Sequence, residues 1–309
     1  MAIPDYQALM LPLLRFAAGK DDETSTGEAV EILAKELGQS EEDLKTMLPS
    51  GLQPRFSNRV GWAATYMKKA GLLQATRRGH YRITPRGRSL LDSKPETIDV
   101  KRLLQYPEFV EFRQLKGTRS GDKEIPSTEI PDTSPVTPSE ALEGAYEDLR
   151  GELAHELLGR LKKTSPSFFE RVVVELLVKM GYGGSRADAG KAIGKSGDGG
   201  IDGIIKEDKL GLDVVYIQAK RWDSTPVGSP DVMQFAGALQ AQRASKGIFM
   251  TTSRFTEEAR NYVSRIGSKI VLIDGDRLTG LMIDHDVGVS TISSYPVKKI
   301  DSDYFDEII

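Results

Sequence analysis

The chain has 309 residues, a net charge of −3 and no cysteine, and 39% of its residues are hydrophobic. This composition is typical of a globular protein with enough apolar material for two cores. The lack of cysteine excludes disulfides, thiolate metal sites and cysteine nucleophiles. Only three histidines occur, which leaves carboxylates as the natural ligands for a metal. No apolar run is long enough for a membrane span and no basic leader is evident, so we expect a cytoplasmic protein.

Residues 1–115 predict a mainly helical domain that ends with a short basic hairpin. The predicted helices cover residues 6–16, 26–37, 40–47 and 57–70, where apolar residues recur at helical spacing. Thr26 is placed to cap the second helix. Two strand-like pieces, 72–76 and 80–84, flank a turn at Arg77-Arg78-Gly79. Helices followed by a small hairpin are the outline of a winged helix-turn-helix domain.

The charge of this domain is strongly uneven. Residues 51–91 contain no Asp or Glu but many Lys and Arg, a distribution that favours binding to phosphates. Asn and Arg on the predicted recognition helix, residues 57–69, suit base edges in the major groove. Basic residues on the predicted wing, the hairpin at 72–84, suit phosphates. The predicted DNA-binding residues are Arg55, Asn58, Arg59, Lys68, Lys69, Arg77, Arg78, His80 and Arg82. Winged helices also serve as protein-interaction modules, and that alternative stays open.

A change in composition separates this domain from the rest of the chain. Residues 117–140 are rich in Pro, Ser, Thr and charge and hold almost no apolar residues. Such a stretch buries too little surface to offset the entropy of ordering it. We therefore expect a flexible linker over residues 116–140 and a second domain over residues 141–309.

The second domain predicts a mixed α/β sheet flanked by helices. Charged and apolar residues indicate one helix over 141–163 and a second after Ser165-Pro166-Ser167. Strands are expected near 200–205, 214–220, 247–252 and 269–273, with helices at 229–243 and after Thr256. The first two strands predict a hairpin, and the later strand–helix alternation predicts parallel pairing.

The hairpin places three polar residues together. If its turn is centred near Leu210, residue 202 pairs with residue 218, because both lie equally far from the centre. Gln218 and Lys220 are two positions apart and project from one face of their strand. Asp202, Gln218 and Lys220 are therefore expected to converge.

These residue types suit phosphodiester cleavage. A hard cation such as Mg²⁺ or Mn²⁺ takes oxygen ligands, which Asp202 and Gln218 supply, and an ammonium group stabilises developing negative charge. Glu170, on the preceding helix, would add a carboxylate from the side. Taken singly, a Gln-x-Lys strand is usually a solvated edge, Gly-Asp-Gly-Gly a turn, and a helical Glu a surface residue. Their combination at hairpin-compatible spacing favours a nuclease site.

At these residues a family resemblance becomes specific. Phe169-Glu170, GDGGIDG at 197–203 and QAKRW at 218–222 resemble the Mrr family of restriction endonucleases. That family belongs to the PD-(D/E)xK superfamily, in the branch where glutamine replaces the second acid. The similarity covers most of residues 150–305, and the N-terminal half resembles the family's winged-helix domain.

The resemblance also implies roles for individual residues. It makes Asp202 the main metal ligand, Gln218 the second ligand and Lys220 the catalytic lysine. It makes Glu170 the helix acid and Asp198 a supporting residue in the glycine loop. Many relatives carry glutamine where Met233 stands, so the helix at 229–243 is left out of the catalytic set.

The family implies a type IV activity that cuts double-stranded DNA carrying methylated bases. Cutting both strands needs two sites, so we expect a homodimer or higher oligomer, with residues 141–163 as a contact surface. Two alternatives remain: a structure-specific repair or junction nuclease, and a DNA-binding regulator with an inert nuclease domain.

Overall fold

A computed structural model describes residues 2–20, 22–114, 135–183, 200–208, 210 and 212–300. The chain divides into two compact units, which we call the N-terminal unit (residues up to Asp148) and the C-terminal unit (residues 149–298). Among the described residues, no helix combines the length and apolar character needed to cross a bilayer.

The N-terminal unit is mainly helical, as predicted. Its helices are α1 (Met10–Ala18), α2 (Thr26–Glu36), α3 (Glu41–Lys45), α4 (Arg55–Lys69), α5 (Pro85–Asp92), α6 (Val100–Leu103) and α7 (Pro107–Gln114). Its strands are β1 (Thr24–Ser25), β2 (Leu73–Ala75) and β3 (His80–Ile83). They form an antiparallel sheet in the order β1-β3-β2, in which β2 and β3 are the predicted hairpin.

The start of α2 differs from the sequence prediction. Ser25, and not Thr26, caps the helix, because its hydroxyl accepts a hydrogen bond from the Glu28 amide at 3.0 Å. The Thr26 amide instead donates to the Gly79 carbonyl at 2.8 Å. This tertiary contact ties the helix start to the wing turn, and sequence spacing alone does not predict it.

Helix α4 lies at the centre of the N-terminal core. Its apolar face buries Phe56, Val60 and Met67 completely. The Tyr66 ring is also buried, with its edge-to-face partners including Tyr6 at a centroid distance of 5.4 Å. Tyr66 is thus a core residue, as the sequence predicts.

Helix α8 (Pro138–Lys163) begins inside the stretch that composition assigned to a linker. The Thr137 hydroxyl accepts a hydrogen bond from the Glu140 amide at 3.1 Å, and the Glu140 carboxylate accepts one from the Thr137 amide at 3.0 Å. This reciprocal pairing is a capping box, which satisfies two amides that a helix start leaves free. The linker prediction is therefore wrong for residues 138–140, and residues 115–134 lie outside the described part of the chain.

Within the described residues, the C-terminal unit contains a four-stranded sheet whose strands lie side by side in chain order. Its elements after α8 are α9 (Pro166–Lys179), β4 (Gly203–Lys206), β5 (Val214–Lys220), α10 (Ser229–Ala241), β6 (Lys246–Thr251), α11 (Glu257–Val263), β7 (Lys269–Ile273) and α12 (Gly275–Asp284). The first pair of strands is antiparallel and the other pairs are parallel, as predicted.

Helices cover both faces of this sheet. One core forms between α9, α12 and the sheet, and it includes Phe169, Leu176, Ile217, Met250 and Leu278. The other forms between α10, α11 and the sheet, and it includes Phe235, Leu239, Phe249, Ala259 and Ile270. Neighbouring strand residues alternate between the two cores, as side chains on a strand must. The predicted mixed α/β sheet flanked by helices is confirmed.

Candidate active site

The β4–β5 hairpin has the register expected from the sequence. Gly203 pairs with Ile217 and Lys206 with Val214, so the pairing is centred at residue 210. One position further along, the Asp202 amide donates to the Ile217 carbonyl at 2.8 Å. Residues 202 and 218 therefore face each other, as the sequence predicts.

The Asp202 carboxylate is held by two donors. The Gln218 side-chain amide donates to Asp202 Oδ2 at 2.5 Å, and the Ala219 backbone amide donates to the same oxygen at 2.7 Å. Within the described residues, Oδ1 accepts no hydrogen bond. Oδ1 of this fixed carboxylate is thus left for a further hydrogen-bond donor or for a cation.

Gly200 lies close to the Gln218 side chain. Its φ of +104° lies in a region that side-chain-bearing residues rarely adopt. A Cβ at this position would lie 2.9 Å from Gln218 Oε1. The glycine therefore serves both the backbone turn and the space beside the amide oxygen. Asp198, the other loop residue predicted to act here, lies outside the described residues.

The pKa values of Asp202 and Glu170 are both raised, so negative charge is disfavoured on each carboxylate. Burial raises the pKa of Asp202, although the Ala219 amide and the Lys220 ammonium oppose that rise. Burial also raises the pKa of Glu170, on α9, and the nearby charge of Asp202 adds to the effect. A cation between these groups would relieve both penalties.

The donor set fits a hard divalent cation that keeps part of its water shell. The described residues contain no group of three or more His, Asp or Glu side chains at metal-ligand spacing. A cation here would therefore be bound by the oxygens of Asp202, Gln218 and Glu170 together with water and phosphate oxygens. That mixture is the one Mg²⁺ ordinarily accepts.

Lys220 lies at the end of β5, on the same face as Gln218. Its ammonium group forms an ion pair with the carboxylate of Asp231, in the first turn of α10. The ammonium also lies 4.9 Å from the centre of the Trp222 ring. The Thr251 hydroxyl donates to the Lys220 carbonyl at 2.8 Å and fixes the strand end. Sequence reasoning missed Asp231, and its only signal was an acid in the first turn of the next helix.

The predicted recognition face of α4 is not an open surface at Asn58 and Arg59. Asn58 is only 5% exposed; its amide donates to Gln53 at 3.0 Å and its carbonyl oxygen accepts from the Thr137 hydroxyl at 2.8 Å. Arg59 donates to the Glu140 carboxylate at 3.1 Å and to the Ile3 carbonyl at 2.7 Å. In this structure these two side chains hold the N-terminal unit together, which corrects the expectation that they face a DNA groove.

The first turn of α8 covers more of the same face. Arg55 lies 3.4 Å from the Glu140 carboxylate, and the Trp62 indole donates to the Ser139 hydroxyl at 3.2 Å.

Lys68 and Lys69 lie over the Tyr81 and Phe112 rings, at 5.9 and 5.3 Å from the ring centres. Burial lowers the pKa of Lys68.

The wing keeps its predicted basic residues on the surface. Arg77, Arg78 and Arg82 are exposed, and His80 is partly exposed. Arg77 pairs with Glu23, and Arg82 donates to the Gln74 amide oxygen at 3.1 Å. The Arg77 side chain remains 66% exposed in its ion pair.

Comparison with known proteins decides the family. The chain is 38% identical over 309 residues to the type IV methyl-directed restriction enzyme EcoKMrr of Escherichia coli strain K12, covering 99% of this chain and 100% of the relative. The chain belongs to the Mrr family of restriction endonucleases. Within it, residues 161–282 match the Mrr catalytic restriction endonuclease domain and residues 6–93 match the Mrr N-terminal domain. This Mrr-family protein is therefore a DNA-cleaving hydrolase.

A solved structure of the MspJI restriction endonuclease in complex with a 27-mer oligonucleotide has weak similarity to this Mrr-family chain. The match has a TM-score of 0.29 and 19% identity, and it covers 68% of this chain and 49% of that chain. The chain thus spans about half the length of that structure. The family assignment depends on the sequence matches and not on this likeness.

Proposed function

We propose that this Mrr-family chain is a divalent-metal-dependent endonuclease that acts in the cytoplasm on DNA carrying methylated bases. Its relative from E. coli is named a methyl-directed type IV enzyme, and the similarity extends over both units. The observation that carries the proposed site is the pairing of Asp202 with Gln218 beside the ammonium of Lys220.

In this proposal Asp202 and Gln218 would hold the cation, Mg²⁺ or Mn²⁺, and Glu170 would contribute a carboxylate from the side. Such a cation would supply charge neutralisation at the phosphate and would make water a better nucleophile. Lys220, at the strand end, stabilises the negative charge that develops on the phosphate oxygens. The hydrogen bonds from Gln218 and Ala219 keep the Asp202 carboxylate oriented.

The wing of the N-terminal unit is proposed as the phosphate-binding surface. Arg77, Arg78 and Arg82 are exposed there, and phosphate contacts of this type position a protein on DNA without reading sequence. In this proposal the residues that read a methylated base lie on the wing and on the open side of α4. Ser57 and Thr65 are partly exposed on that side.

A plasmid cleavage assay tests the proposal. Wild type, Asp202→Ala and the control Asp208→Ala, which removes a carboxylate from the hairpin turn, are compared on methylated and unmethylated plasmid with Mg²⁺ or EDTA. We expect Mg²⁺-dependent cutting of methylated plasmid by wild type and the control, and none by Asp202→Ala. Cutting only branched DNA would favour a structure-specific nuclease, and binding without cutting would favour an inert regulator.

We also propose that two copies of the chain pair through α8. Four exposed apolar residues of this helix recur three or four positions apart, the spacing of a coiled-coil seam. They are Leu142, Tyr146, Leu149 and Leu153, with exposures from 39% to 67%. In an antiparallel pair, Leu142 faces Leu153 of the second copy and Tyr146 faces Leu149, so the stripe is self-complementary.

Light scattering of Leu149→Glu against the control Leu212→Glu tests this pairing. Leu212 is 82% exposed in the hairpin turn and lies outside the helix. We expect the α8 variant alone to become monomeric and to nick plasmid without linearising it. A wild type that is monomeric on DNA would rule out the dimer.

A further inference from the structure

The ammonium of Lys220 has charged and aromatic neighbours in the C-terminal unit. Its ammonium forms an ion pair with Asp231, and both side chains are about one quarter exposed, at 24% and 23%. The Trp222 ring lies 4.9 Å from the ammonium, and the charge of Lys220 also acts on Asp202. Of these three groups, Asp231 is the one that belongs to a helix, α10.

A lysine needs such a partner to act at a fixed place. Its side chain is long and flexible and loses rotamer entropy when it is fixed. An ion pair beside an aromatic face restricts the ammonium before DNA arrives, so that this entropy is not lost during the reaction. The contacts of Lys220 have this form.

Asp231 is itself fixed in position. It lies in the first turn of α10, where the free amides and the helix dipole favour a carboxylate. The next turn of the helix buries Val232 and Phe235 against the sheet. The backbone that carries the Asp231 carboxylate is therefore anchored to the core.

The charges of the site also fit this arrangement. Glu170, Asp202 and Asp231 are carboxylates and Lys220 is the ammonium among them, which leaves a net charge of −2 when all four are ionised. One divalent cation would neutralise that charge. Asp231 offsets part of the repulsion between the ammonium and a cation at Asp202.

We propose that Asp231 is a positioning residue for DNA cleavage, acting through Lys220: it holds the ammonium at the end of β5 next to Asp202. The inference rests on the role proposed above for Lys220. Asp231 would bind neither the cation nor DNA, so its loss should slow the chemical step and leave DNA binding intact.

Steady-state and single-turnover cleavage of methylated DNA by Asp231→Asn tests this inference. We expect kcat to fall roughly ten- to a hundredfold, as for other residues that orient a catalytic group, while KM and the DNA dissociation constant stay unchanged. Asp231→Glu, which keeps the carboxylate, should recover much of the lost rate. The control is Asp223→Asn, which removes an 83% exposed acid three residues after Lys220 and should cleave like wild type.

Several outcomes would overturn the inference. A wild-type kcat in folded Asp231→Asn, an effect on KM alone, or an equal loss in Asp223→Asn would each do so. If Asp231→Asn does not fold, Asp231→Glu decides, because a folded Glu variant as slow as Lys220→Ala would mean that the carboxylate does not suffice to position Lys220. Lys220→Ala is measured in parallel: if it cleaves like wild type, the proposed role of Lys220 fails first.

Discussion

Gln218 faces Asp202 across the β4–β5 hairpin and donates a hydrogen bond from its side-chain amide to the carboxylate. A neutral donor thus faces the carboxylate, where a second acid would repel it. It satisfies the partly buried carboxylate without a cation, so the site can stay folded in the absence of metal. Its amide oxygen lies beside Gly200 and remains a possible ligand.

Replacing this amide by an acid should make the fold dependent on metal. In Gln218→Glu two carboxylates face each other, and their repulsion disfavours the folded protein until a cation binds. We expect the melting temperature of the variant to fall in EDTA and to rise with Mg²⁺ by more than that of wild type. Differential scanning fluorimetry measures both. Gln240→Glu, at an exposed position of α10, should show no such response to Mg²⁺.

Asp202→Asn should abolish cleavage and raise stability. Burial raises the pKa of Asp202 in the folded protein, so its ionised form is disfavoured there. The stability associated with the protonated acid is present at low pH and is lost as pH rises through the folded-state pKa. The melting temperature of the variant in EDTA should therefore exceed that of wild type near pH 7, and the difference should shrink towards pH 4. A difference in melting temperature that stays the same from pH 7 to pH 4 would contradict a raised pKa of Asp202.

Much of the site was predictable because it is local in sequence. The polar turn fixes the centre of the hairpin, and the two-residue period of a strand then places Gln218 and Lys220 on one face and Asp202 opposite. The sheet topology followed from the strand–helix alternation after residue 214. These features depend only on neighbouring residues, which the sequence displays directly.

The wrong predictions depend on contacts between distant residues. From the sequence alone, Asn58 resembles a base-reading residue. In the structure it accepts a hydrogen bond from Thr137, 79 positions later in the chain. Arg59 is likewise paired with Glu140, 81 positions away. Asp231 was not predicted, because the packing of α10 on the sheet determines that it pairs with Lys220. A single sequence carries no local signal for such pairs.

Gly200→Ala should disturb the site far more than an alanine elsewhere. The added Cβ would meet Gln218 Oε1 at 2.9 Å on a backbone with φ of +104°. We expect a large loss of cleavage rate and a lower melting temperature. Gly237→Ala is the matched control, since a Cβ there meets nothing within 4 Å and alanine favours the helix by about 0.5–1 kcal/mol. Equal activity of the two variants would argue against the role of Gly200.

Asn58→Ala should affect stability, not recognition. The change leaves the buried Thr137 hydroxyl without its acceptor, at a cost of about 1–3 kcal/mol. Chemical denaturation measures this loss, with Ser57→Ala, at a partly exposed position of α4, as the control. The DNA affinity of folded Asn58→Ala should match that of wild type. A weaker, sequence-dependent affinity without destabilisation would instead assign Asn58 to base reading.

Arg78→Ala should weaken DNA binding equally for all sequences. If the wing contacts a phosphate through Arg78, the slope of log K against log salt should fall by about one. Titrations at several salt concentrations measure the slope. Arg160→Ala removes an arginine that pairs with Glu156 on α8, and it should leave the slope unchanged. A change that depends on methylation would place Arg78 among the reading residues.

The hairpin brings Asp202 and Gln218 together across only 16 positions of chain. Closing so short a loop costs little entropy, so the two proposed ligands can meet as soon as β4 and β5 pair. Asp231 and Lys220 are separated by only 11 positions, so their loop is shorter still. The pair proposed to bind the cation and the pair that restrains the lysine therefore come from one short segment, residues 202–231, and the nascent enzyme needs no long loop closure to bring either pair together.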